Sequence, residues 1–210
     1  MSGQQLLLQL DRVYCRDETG GKYVERAGND EISLAGVGID ATGKTVMLSP
    51  FTVYNNFDDR ETKKFSPVKT LLTLNVPDGG TFPKTCIGVL FLAEIDQGGF
   101  KDFVQKAYTK ITEEVAAKKQ QGMGRSLALS SIAVGLIWAE VKPSVTKYIK
   151  GLIAAGIRDD VFPSQEVSLE IPSADFYWGD GTKLSPEVTV EFREHGGVYN
   201  LTYYWEIRTV

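Results

Sequence analysis

Apolar residues recur along this chain at two different periods, and the change from one to the other divides it into regions. Leu6, Leu8 and Leu10, followed by Val13, interleave imperfectly with polar neighbours and predict a first strand over 6–15. A second strand is expected over 32–37 and a third over 45–48, the latter stopping before Pro50. The Asn/Asp cluster Asn55-Asn56-Phe57-Asp58-Asp59 predicts a loop. Two longer apolar runs, 68–76 and 86–95, are separated by Pro77-Asp78-Gly79-Gly80. That is a turn signal, because proline fixes φ and glycine tolerates positive φ. Near the C-terminus Val167, Leu169 and Ile171 alternate and end at Pro172. Runs 188–192 and 198–207 flank Glu194-His195-Gly196-Gly197 as a hairpin. In its second arm Tyr199, Leu201, Tyr203, Trp205 and Ile207 share one face, which should be core.

Between these β regions the spacing becomes helical. Phe100, Phe103, Val104, Ala107, Tyr108, Ile111 and Val115 follow i, i+3, i+4, i+7 and predict an amphipathic helix ending at 120–124. Leu127, Leu129, Ile132, Ala133, Leu136, Ile137 and Val141 predict a second helix, apolar nearly all round and so the most buried part of the block. Pro143 suits the first turn of a third helix, with Val145, Tyr148, Ile149 and Leu152 inward and Gly156 as C-cap. The expected fold class is α+β, mainly β. An antiparallel sandwich of about eight strands spans 1–96 and 159–210, and an insertion of about three helices occupies 97–158.

A length of 210 residues, 42% hydrophobic and 24% charged, fits one large globular domain or a domain with an elaborate insertion. Met1 to Gln5 has no basic region and Gln9 and Asp11 break the apolar run after it, which is not a secretory signal. The longest nearly uncharged apolar stretch, 126–139, is shorter than the roughly 18 residues a membrane-spanning helix needs. The expected location is cytoplasmic, with release by a non-classical route left open. Cys15 and Cys86 each sit in a strand-like run and are expected as buried thiols, with a disulfide between neighbouring strands as the alternative; they are too few for a disulfide framework or a structural zinc site.

Charge changes the picture more than composition does. Residues 97–158 hold ten Lys/Arg against four Asp/Glu, a balance of +6, while the remainder carries −10. A basic block on an acidic body has three readings. It can be a rigid cap with a solvated lysine face, or a docking surface for a protein partner. It can also be an element whose Lys101, Lys106, Lys110, Lys118 and Lys119 approach an anionic membrane surface. Nucleic acid is not expected, since the chain is acidic overall and lacks a basic strip interleaved with aromatics. Enzymatic chemistry has little material: His195 is the single histidine, and no phosphate-cradling glycine motif is present. Phe176-Tyr177-Trp178 is a candidate aromatic loop for a sugar or lipid headgroup, against a core role for at least one of the three.

Four segments then look alike in kind. The first strand ends in Asp17-Glu18-Thr19-Gly20-Gly21, and the second is headed by Asn29-Asp30-Glu31-Ile32-Ser33-Leu34. Val89-Leu90-Phe91-Leu92-Ala93-Glu94-Ile95-Asp96 ends in acids, and Arg158-Asp159-Asp160-Val161-Phe162 precedes another strand. This arrangement resembles C2 domains, in which acidic loops at one end of a sandwich hold calcium, and the helical block would then be an insertion in the third loop. The sequence departs from that pattern: Asp-Pro-Tyr reads Asp30-Glu31-Ile32, and Asp-x-Asp reads Glu94-Ile95-Asp96. The resemblance implies a Ca²⁺ site formed by Asp17, Asp30, Glu94, Asp96 and Asp160. The physical case is that five like charges brought to one end repel, and that Ca²⁺ takes six to eight oxygen ligands from flexible loops. The plainer reading is five solvated acids at loop and strand ends. The expected function is a non-enzymatic, C2-like binding module that engages a membrane surface or a protein partner, with or without Ca²⁺. The alternative is a structural or toxin-type component whose helices drive assembly or membrane insertion.

Overall fold

Two strands that lie side by side inside one sheet are apolar at almost every position, and both of their faces are covered. The structure, a computed structural model, describes residues 3–19, 30–96, 98–123, 132–156, 159–179 and 181–209. Its elements in chain order are β1 (Gln4–Asp17), β2 (Asp30–Ile39), β3 (Thr45–Phe57), β4 (Thr62–Val76), β5 (Lys84–Glu94), α1 (Phe100–Met123), α2 (Ile132–Ala154), β6 (Asp160–Val161), β7 (Gln165–Ile171), β8 (Val188–Glu194) and β9 (Gly197–Thr209). One antiparallel sheet runs β4-β1-β9-β8. The other runs β3-β2-β5-β6, with β7 also pairing with β5.

The inner faces of the two sheets share a core of Leu6, Leu8, Leu10, Leu34, Leu90, Leu92, Tyr199, Leu201 and their neighbours. The outer face of the second sheet, through Ala35, Val37, Ile39, Ile87, Val89 and Phe91, packs instead on the two helices and makes a second core with them. Strands buried on both faces lose the hydrophobic–polar alternation of a half-solvated sheet. Gly38 and Gly88 face each other across β2 and β5. A Cβ on Gly38 would lie 2.6 Å from Leu74 Cδ2, and one on Gly88 would lie 2.8 Å from Val167 Cγ2. Leu72 Cδ1 reaches within 3.3 Å of both positions. Glycine there lets the first sheet press into the second.

The edges correct the strand ends expected from proline and asparagine. β3 does not stop before Pro50 but continues to Phe57, which is fully buried. It is an edge strand, and its register slips where Leu34 pairs with Phe51 but Gly36 with Leu48. The slip leaves Pro50 in a bulge, where no ladder hydrogen bond is required of it. β4, the edge of the other sheet, likewise starts at Thr62 and passes Pro67 at a slip between Lys64 and Lys69. Both cysteines are buried thiols, each pushed up to about 12 chiefly by burial.

The helical block holds two helices among the described residues, not three. α2 runs through Pro143, because Val134, Trp138, Val141, Val145 and Ile149 form one buried stripe on both sides of it. The proline lies on the exposed side, where the carbonyl it leaves unbonded can meet water. α2 is also not the most buried element of the block, since Leu136 is 62% exposed whereas Val104, Ala107 and Ile111 of α1 are sealed. Leu127 and Leu129, expected in the second helix, lie outside the described residues. No helix among the described residues is long and apolar enough to cross a membrane.

Candidate functional site

The end of the sheets where β2 begins and β5 ends gathers most of the acids singled out by sequence. Ile32 pairs with Glu94 across β2 and β5, and Glu94 pairs with Asp160 across β5 and β6. These pairings bring Glu94 and Asp160 side by side, and Asp96 lies just beyond the strand. One carboxylate oxygen from each of Glu94, Asp96 and Asp160 lies within 4.8 Å of the other two. Asp96 is exposed, and Glu94 and Asp160 are half-buried.

Asp30 and Asp17 take other places. Asp30 is 3% exposed and lies inboard of Glu94. Its Oδ2 accepts from the Thr19 N–H and hydroxyl, each at 2.8 Å, and from the Tyr199 hydroxyl. Asp17, at the end of β1, is exposed and pairs with Val198 at the start of β9. From there its charge helps raise the Arg193 guanidinium pKa, after the larger effect of the Glu191 hydrogen bond. Of the five acids the structure therefore brings three together, sets one behind them and leaves one on the far sheet.

The electrostatics follow from that packing. The Thr19 hydroxyl contacts both Asp30 and Glu94, yet it has a single hydrogen to give. If it donates to Asp30, Glu94 must hold a proton and donate to the hydroxyl oxygen. The Glu94 carboxyl is pushed up to about 8 by burial first, with Asp30 and Asp96 adding to the rise and the Thr19 contact opposing it. Asp96 is raised as well, by burial and by the charges of Asp160, Asp159 and Asp30.

Sequence reasoning passed over the residues that build the surroundings. Asp159 is 3% exposed, and its Oδ1 accepts from the Asp96 N–H at 3.2 Å and the Gly98 N–H at 2.8 Å. Its Oδ2 accepts from the Phe100 N–H at 2.9 Å, at the start of α1. One carboxylate thus ties the chain leaving β5 to the chain returning from α2, with the favourable charge for a helix N-terminus. His195 and Gly196 both have positive φ, 55° and 86°, as a type I′ hairpin turn requires. The turn sets His195 Nδ1 3.6 Å from Asp160 Oδ1 and its Nε2 3.2 Å from the Val161 carbonyl. Beneath these groups Phe57, Tyr199 and Phe162 pack edge to face across the sheets. The doublet Asp159-Asp160 directly after a helical run was the available signal, since a buried cap and an exposed acid can be neighbours on a strand. Phe176 and Trp178 pack against the inner core, and Tyr177 is 51% exposed.

No protein-family model matches the chain, and no curated protein matches it. Among solved structures, two of human GIVD cytosolic phospholipase A2 overlay on it loosely. The complex with methyl gamma-linolenyl fluorophosphonate and terbium chloride has a TM-score of 0.36 at 7% identity, covering 100% of this chain and 18% of that one. The complex with the inhibitor alone has a TM-score of 0.33 at 8% identity, covering 99% and 18%. This chain therefore spans less than a fifth of the length of those structures, and overlays this loose support neither a shared fold nor a shared activity.

Proposed function

We propose that the chain is a non-enzymatic binding module whose acidic end takes up Ca²⁺ and presents it to an anionic membrane surface. The observation that carries this reading is the 4.8 Å convergence of Glu94, Asp96 and Asp160. Oxygens bound at about 2.3–2.6 Å on opposite sides of one ion stand at most about 5 Å apart, so this spacing already suits Ca²⁺. Mg²⁺, bound at about 2.1 Å in a tight octahedron, needs the same oxygens closer and gives up water reluctantly. Three carboxylates leave half or more of a Ca²⁺ shell for water and for headgroup oxygens. The helical layer adds a second attraction of the same sign. Lys101 and Lys106 on α1 and Lys147 on α2 are exposed and form no ion pair among the described residues.

A thermal melt in EDTA against millimolar Ca²⁺ tests the ion, and vesicle sedimentation tests the surface. Ca²⁺ at a hundredfold excess over Kd should stabilise the native state by about 2.7 kcal/mol. That corresponds to a Tm rise of roughly 5–10 °C for a chain of this size, and Mg²⁺ should do much less. Asp96→Asn with Asp160→Asn should remove the shift. Vesicles containing phosphatidylserine should sediment the protein in Ca²⁺ and release it in EDTA, whereas pure phosphatidylcholine should not. An unchanged midpoint with no heat of Ca²⁺ binding would leave the acids as surface charge.

A further inference from the structure

The apolar face of α2 continues past the sheet it covers. Its last two turns carry Ile149, Ile153 and Ala154, and opposite them stand Val161 and Pro163 of the β6–β7 segment. Small residues at the helix end and the β8–β9 turn leave a gap between them, a half-open cavity of about 330 Å³ with a mostly apolar wall. That volume is at the low end of the range in which proteins hold small molecules. Its polar lining is Thr146, Ser164, Lys150 and His195, with one acid, Glu194. The cavity runs into a shallower groove along α2 that shares Thr146 and Lys150 and adds Lys142 and Lys147. Lys142 is held by Glu166 at 2.9 Å. Lys147 and Lys150 are exposed and have no ion-pair partner among the described residues.

We infer that this cavity is a binding site for an amphipathic carboxylate, a medium-chain fatty acid anion. The chain would lie against Ile153, Ile149 and Val161. The carboxylate would point back along α2 toward Lys150 and Lys147, where the two hollows meet. It would not sit at the helix C-terminus, because the last carbonyls there carry partial negative charge. That polarity, apolar at one end and cationic at the other, selects an anion with a tail over a neutral alcohol or a cationic amphiphile.

Decanoate, well below the concentration at which it forms micelles, is the probe, followed by titration calorimetry and proton NMR. His195 is the single histidine in the chain, so its ring resonances report on the cavity rim without assignment. Saturable one-to-one binding that shifts those resonances is expected, at least tenfold tighter than decanol or decyltrimethylammonium. Lys150→Glu should weaken decanoate at least tenfold. Ala154→Trp, which places an indole in the mouth from an exposed position, should abolish binding, with unchanged melts showing that both variants fold. Non-saturating heats, equal affinity for decanol, histidine signals that stay still, or indifference to both substitutions would each overturn the assignment.

Discussion

The two ends of the sheets use their acids in different ways. β2 begins at Asp30 and ends just before Asp40, so its ten residues separate the two ends by roughly 30 Å. At the Asp40 end one fully buried carboxylate is saturated. Its Oδ1 accepts from the Thr42 N–H at 2.8 Å, the Thr42 hydroxyl at 2.6 Å and the Lys44 N–H at 3.0 Å, and the Asn75 amide reaches Oδ2 at 3.4 Å. At the other end Glu94, Asp96 and Asp160 face one another, while the buried Asp30 and Asp159 are supplied with donors as Asp40 is. Similar residues thus serve two purposes. An acid surrounded by donors closes a turn, while acids surrounded by acids need a proton or a cation.

The sharpest way to break the comparison is to remove the saturated acid. Asp40→Ala leaves the N–H groups of Thr42 and Lys44 without the fully buried carboxylate that accepts from them, a loss of about 3 kcal/mol for a charged acceptor with several donors. The expected Tm fall is roughly 6–12 °C, with the response to Ca²⁺ unchanged because that site lies at the far end. A fall below 2 °C would mean that water replaces the carboxylate, and the contrast between the ends would fail.

Asp159→Ala should cost less, about 2 kcal/mol or roughly 4–8 °C, since the Asp96 and Gly98 N–H groups it holds belong to exposed residues that water can reach. Unlike the first variant it should also weaken Ca²⁺ binding. The Asp96 N–H is one of the groups Asp159 holds, so its loss frees the loop that aims Asp96. Calorimetry of both variants with Ca²⁺ separates the ends: Asp40→Ala should bind as the parent does, and Asp159→Ala should bind less tightly. Equal affinities would show that Asp159 closes the fold without shaping the site.

Much of this was legible in the sequence where period alone decided the outcome. The β9 face of Tyr199, Leu201, Tyr203, Trp205 and Ile207 is core as its alternation required, and the α1 stripe from Phe100 to Val115 is buried as its helical spacing required except at the half-buried Tyr108. Position relative to an edge was not legible. Pro50 and Pro67 punctuate a chain read alone, yet on edge strands with slipped registers they cost no ladder bond. Pro143 misled for a related reason, because the buried stripe on either side of it outweighs one missing hydrogen bond. At the acidic end the sequence could place Glu94, Asp96 and Asp160 near one another through their strands. Whether Asp30 turned outward with them depended on Thr19 and Tyr199, which lie 11 and 169 residues away along the chain.

The smallest effect sharpens the comparison most, because it asks what the unsaturated end holds without a cation. Burial and the neighbouring acids push the Glu94 carboxyl up to about 8 from its ordinary 4.5. Between those values the folded state binds more protons than the unfolded state, so stability falls as pH rises from about 4.5 to 8. Asp96, also raised, adds to the same slope. Because Glu94 is only half-buried, solvent screening reduces the effect to on the order of 1 kcal/mol, or roughly 2–4 °C. Glu94→Gln keeps a donor toward Thr19 and removes the titration. It should match the parent near pH 5, exceed it by those few degrees at pH 8, and flatten the profile between. Ca²⁺ has to displace the same proton, so its affinity for the parent should rise from pH 6 to pH 8. Melts of the two proteins in EDTA at pH 5, 6.5 and 8 decide the matter. Parallel profiles would mean that Glu94 is ionised throughout, leaving the hydroxyl of Thr19 shared between two charged carboxylates.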